Sequence, residues 1–100
     1  MVEKLVRDRI PEIIENSGKT PITRIADSSE IKQFLLDKIL EEAEELNESG
    51  SKEEIADILE AIYSLLKSEQ LSLEDIEKIR IKKAEQRGSF NKKIILVDVD

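Results

Sequence analysis

The tightest constraint on this chain is the phase of its acidic residues: between residues 31 and 46, glutamates fall inside the apolar stripe of a helix instead of opposite it. At about 100° per residue, Ile31, Phe34, Leu35, Ile39 and Leu46 share one sector of a helix expected over about residues 29–48. Lys38, Glu42 and Glu45 project into the middle of that sector, whereas Asp37, Glu41, Glu44 and Glu48 lie on or toward the far side. Burying an unpaired carboxylate is costly, and like charges three or four residues apart on a helix repel. Two inward glutamates therefore require a compensating cation, and Lys38 neutralises only one of them.

A second helix is expected over about residues 52–68, with Ile55, Ile58, Leu59, Ile62 and Leu66 on its apolar face. Glu54 lies at the border of that stripe and Asp57 farther round, with Ala61 between them leaving space. If the two helices pack antiparallel through the 47–51 turn, Glu42 and Glu45 face Glu54 and Asp57, and four carboxylates converge. Oxygen-only ligands suit Mg²⁺ or Mn²⁺ and imply phosphate chemistry. The chain has no His and no Cys, which argues against zinc, haem, iron–sulfur clusters and His-containing di-iron bundles. The competing reading is that acidic runs are solvated helix faces. Glu54 also has an alternative use, because Ser51-Lys52-Glu53-Glu54 reads as a capping box in which Glu54 reaches back to the Ser51 N–H.

A third helix begins after Ser72, a plausible N-cap with Asp75 three residues on, and carries Leu73, Ile76, Ile79 and Ala84 as its stripe. Arg80, Lys83 and Arg87 share that side, while Lys82 points away. Such cations commonly snorkel along apolar surface. They also suit a polyphosphate: Lys83 and Arg87, one turn apart, would clamp adjacent phosphates as a point charge and a bidentate fork.

Taken together, Lys38-Ile39-Leu40-Glu41-Glu42-Ala43-Glu44-Glu45, Glu54-Ile55-Ala56-Asp57 and Lys83-Ala84-Glu85-Gln86-Arg87 resemble the motif set of the all-α, MazG-like nucleotide pyrophosphohydrolases. That superfamily includes phosphoribosyl-ATP pyrophosphohydrolase and dimeric dUTPases. Lys4-Leu5-Val6-Arg7-Asp8-Arg9-Ile10-Pro11 and Arg87-Gly88-Ser89-Phe90 further resemble its small single-domain, house-cleaning branch. The resemblance implies metal ligands at Glu42, Glu45, Glu54 and Asp57 and phosphate contacts at Lys38, Lys83 and Arg87. It implies Mg²⁺-dependent hydrolysis of a non-canonical nucleoside triphosphate to the monophosphate and pyrophosphate, in a dimer or tetramer. The link from Glu45 to Glu54 is shorter than in many relatives, and Ser89 stands where this branch often has a second Gly.

The remaining expectations follow from composition and the rest of the chain. One hundred residues suit a single domain, 1–100, with a small core, and no signal peptide or membrane span is visible, as expected of a cytoplasmic protein. A net charge of −7 disfavours nucleic-acid polymers and anionic membranes, but not a metal-chelated nucleotide. Pro11 and the Asn16-Ser17-Gly18 stop bracket a short helix containing Ile13 and Ile14. The fold expected is mainly α, an antiparallel bundle of about four helices, with residues 21–25 and 92–97 as a possible two-stranded β-ribbon. Diverting so many side chains to a wet cleft leaves little core, so at least a homodimer is expected. Lys4, Arg7 and Arg9 are read as a solvated terminus or as ion pairs with the acidic surface, ahead of a phosphate role in a neighbouring subunit. Phe34, Tyr63 and Phe90 are the only aromatics, and Phe90, just after the clamp, is the best candidate to stack on a base. With no histidine, any base must be a carboxylate, and Glu41, beside the cage but turned outward, is one candidate. The alternatives are a non-catalytic nucleotide-sensing or dimerising helical module, and phosphoribosyl-ATP as substrate.

Overall fold

The computed structural model describes residues 3–100, which contain four helices and no strand. These are α1 (Ile10–Asn16), α2 (Ile31–Ser49), α3 (Lys52–Ser68) and α4 (Leu73–Arg87). The chain divides into two compact units, Met1–Gln70 and Leu71–Asp100.

In the first unit, α2 and α3 form an antiparallel hairpin closed by Gly50 and Ser51. Gly50 ends α2 in the left-handed conformation at φ +64°, and its N–H bonds the Leu46 carbonyl at 2.8 Å. Ser51 is extended and caps α3, its Oγ accepting the Glu53 N–H at 3.2 Å. The same hydroxyl donates to Glu53 Oε2 at 2.6 Å, and the Ser51 N–H donates to Ser49 Oγ at 3.1 Å. Glu53, not Glu54, therefore serves this cap, and the capping-box reading of Glu54 is set aside. The start of α2 falls at Ile31, later than expected, because the Asp27 carboxylate binds both the N–H and the hydroxyl of Ser29 and holds a turn there.

The core of this unit is thin. Leu35 of α2 and Ala61 and Leu66 of α3 are its buried apolar side chains, and Glu42 is buried with them. Ile55 and Leu59, expected on the inner face of α3, are instead about half exposed. Residues 3–7 run without helix or strand into α1, whose Pro11 sits in the first turn where no N–H is needed. Arg24 ties this segment down: its guanidinium pairs with Glu3 and Glu30, each at 2.8 Å, and lies 5.7 Å from the centre of the Phe34 ring.

In the second unit, Ser72 caps α4 as expected, its Oγ accepting the Asp75 N–H at 3.0 Å. Gly88 ends the helix at φ 83°, ψ 174°, a conformation essentially restricted to glycine. Neither 21–25 nor 92–97 forms a strand, so the β-ribbon is absent. Neither run makes ladder hydrogen bonds, Lys93 turns at φ +57°, and the β-branched residues Ile22, Ile25, Ile94, Ile95 and Val97 are largely exposed. No helix among the described residues is long and apolar enough to cross a membrane.

Candidate metal centre

The α2–α3 register brings Glu42, Glu54 and Asp57 together, with one carboxylate oxygen of each lying within 4.8 Å of the others. Glu42 is only 5 % exposed, and its Oε1 receives the Lys38 ammonium at 3.1 Å. Glu42 Oε2 and Glu54 Oε2 are both buried without a hydrogen-bond partner. Orphaned buried carboxylate oxygens are costly, and here they face other acids. Three carboxylates within 4.8 Å of one another, two of them with an unpartnered buried oxygen, are a donor set of the oxygen-only kind that a hard cation takes.

The protonation pattern follows from this crowding. Burial, then the neighbouring carboxylates of Glu45 and Glu42, push Glu54 up to about 7. Glu42 holds the Glu45 carboxyl above its ordinary value, although Glu45 itself is exposed and lies outside the converging triad. Glu41 differs. Burial acts to raise it, but Lys38 and Lys4 outweigh that effect and hold it below the usual carboxylate range. Lys38 bridges Glu41 and Glu42, both at 3.1 Å, and Lys4 reaches Glu41 at 3.2 Å. Burial alone would lower the Lys38 ammonium, but these two carboxylates leave it above its ordinary value. Glu41 thus sits half-buried in a lysine bridge instead of turning to solvent.

The N-terminal segment closes one side of the site. Arg7 Nη2 bonds Asp57 Oδ1 at 2.6 Å, and Arg9 pairs with Glu12. The ion-pair reading of Lys4 and Arg7 agrees with this structure, and the acids they meet are those of the candidate site. Residues 5–10 and Ile13 form one wall of a cleft of about 630 Å³ that also exposes Lys38, Glu42 and Asp57. The opposite wall continues along α3 through Glu60, Ala61, Ser64, Lys67 and Ser68. These positions recur three and four residues apart from Asp57, so one helical face carries both the acid and the wall. That register was available in the sequence but attracts no attention without the segment that covers it.

Of the other expected site residues, Lys83 and Arg87 lie on α4, both exposed and one turn apart, while Arg80 is engaged with Glu77. Phe90 is almost fully exposed. Neither Phe34 nor Tyr63 lines the cleft, whose apolar surface is aliphatic.

Comparison with known proteins adds little to this geometry. No family model matches the chain, and no solved structure matches it. An uncharacterized protein of Mycolicibacterium smegmatis is 42 % identical over 50 residues, which is 50 % of this chain and 51 % of that protein. The chain thus spans about half the length of the curated relative it matches.

Proposed function

We propose that this protein hydrolyses nucleoside triphosphates, of the non-canonical kind, to the nucleoside monophosphate and pyrophosphate, as a MazG-like house-cleaning enzyme of the cytoplasm. The observation that carries this reading is Glu42 Oε2, buried and without a partner, beside the oxygens of Glu54 and Asp57. Glu42, Glu54 and Asp57 would hold Mg²⁺, or Mn²⁺, with Glu45 at the edge of the set. The ion would supply Lewis-acid polarisation of a phosphoryl oxygen.

The protein's own groups have distinct tasks. Lys38 fixes the Glu42 carboxylate through Oε1 and leaves Oε2 for the ligand. Water attacks the α-phosphorus, the bond to the bridging oxygen breaks, and pyrophosphate leaves. The water's proton passes to a carboxylate, and Glu45 suits this better than Glu41. In the metal-free protein Glu42 holds Glu45 above its ordinary value, whereas the two lysines hold Glu41 below its own and keep it a weak base. The aliphatic cleft wall would receive the nucleoside. The sequence resemblance assigns the pyrophosphate clamp to Lys83 and Arg87.

The test incubates the protein with magnesium and a panel of ordinary, deoxy and damaged nucleoside triphosphates, scoring pyrophosphate separately from orthophosphate. Pyrophosphate release that Glu42→Gln reduces by at least about 100-fold is the expected result. Thermal stabilisation by magnesium and nucleotide without any product would instead identify a non-catalytic nucleotide-sensing module.

A further inference from the structure

Two cations pair directly with carboxylates of the converging triad, and the two are held differently. Lys38 is largely buried between Glu41 and Glu42, anchored on the same helix as both. Arg7 comes from the non-helical N-terminal segment, its side chain is 55 % exposed, and it has Asp57 as its ion-pair partner. Both cations line the cleft that opens onto Glu42 and Asp57.

We propose that Arg7 is a phosphate-binding residue that rests on Asp57 in the metal-free protein and exchanges that carboxylate for the polyphosphate of the bound nucleotide. This inference rests on the metal-centre reading above. Asp57 Oδ1 lies 2.6 Å from the guanidinium, so a divalent cation sharing this carboxylate weakens its attraction for Arg7 by direct charge repulsion. The exchange is cheap, because exposed ion pairs of this kind contribute little to stability. It also needs no backbone movement. Lys4 on Glu41 and Glu3 on Arg24 anchor the segment before Arg7, and α1 anchors it after. Magnesium takes few protein carboxylates and completes its shell with water and substrate phosphate oxygens. Phosphates held at this centre therefore lie beside Asp57, where the Arg7 fork already is, and a guanidinium pairs with phosphate oxygens in bidentate fashion.

The proposal makes Arg7 a competitor of the metal and a partner of the phosphate, two roles that a structural strap does not combine. Calorimetric titration of wild type and Arg7→Ala with magnesium alone, then with inorganic tripolyphosphate at saturating magnesium, separates them. Arg7→Ala should bind magnesium alone about 3- to 10-fold more tightly, having lost the competing cation. It should bind tripolyphosphate about 10- to 100-fold more weakly, with Arg7→Lys intermediate. Magnesium binding that is unchanged or weakened in Arg7→Ala, or undiminished tripolyphosphate binding, overturns the exchange while leaving the metal centre intact. Absence of magnesium binding by both proteins overturns the metal centre and the exchange together. If Arg7→Ala fails to fold, Arg7→Gln, which retains most of the side chain, carries the same test.

Discussion

Glu54 shows at the scale of one residue how crowding becomes a measurable property. Its carboxyl is raised from an ordinary 4.5 to about 7, first by burial and then by Glu45 and Glu42. A raised value means that the folded protein keeps a proton which the unfolded chain releases. Between these two values the stability of the metal-free protein must fall as pH rises, and Glu45, shifted in the same direction, adds to the slope. Groups shifted the other way, such as Glu41 and Glu30, act at lower pH, since their stabilisation is lost only below the ordinary value. Thermal melts in chelator should therefore show Tm declining from about pH 5 to about pH 7.5, and Glu54→Gln should flatten that decline. Saturating magnesium should stabilise the wild type more at the alkaline end, because protons and metal compete for the same oxygens.

At the scale of the element, the helix ends were more legible than the helix faces. Ser51 and Ser72 could be read as N-caps because a short hydroxyl side chain before a periodic run has one local use, and both perform it. Glu42 was also legible, because helical phase alone places it inside an apolar stripe, and it is buried. Faces that depend on a partner element were harder to read. Ile55 and Leu59 belong to the apolar side of α3 by periodicity, yet the described residues leave both about half exposed. For Arg7 the sequence offers an ion pair with the acidic surface but not the partner, because Asp57 lies 50 residues away, beyond any local pattern. The extended runs at 21–25 and 92–97 failed as strands for a related reason, since β-propensity records a fit to neighbours that must be supplied elsewhere. The turn between α2 and α3 offers a direct check on local control. Gly50→Ala meets no steric obstacle, but must hold φ +64°, and should cost about 1 kcal/mol in denaturant unfolding.

At the scale of the whole molecule, the shortage of core is the dominant fact. Leu36 and Leu40 share one face of α2, and Ile55, Leu59 and Tyr63 share one face of α3; all five are 39–59 % exposed. A pair of helices with so little buried between and around it gains most by packing against a second pair. We therefore expect at least a homodimer through this face, with a tetramer as the larger assembly. Sedimentation at micromolar concentration should show it, and Leu40→Glu together with Leu59→Glu should yield monomer. A stable wild-type monomer would exclude this assembly. The connection at Gly50 and Ser51, described above as a cap and a stop, has a consequence at this scale as well. With only two residues outside helix between Ser49 and Lys52, its length acts as a gauge for the site. So short a bend leaves little slack for α3 to slide along α2, and one residue inserted within α3 between Asp57 and Ala61 would turn Glu54 and Asp57 by about 100° relative to the buried Ala61 and Leu66, carrying them away from Glu42 while leaving the helix intact. Substitutions on the outer surface of either helix therefore leave the cage in place, whereas a shift of register inside α3 dismantles it.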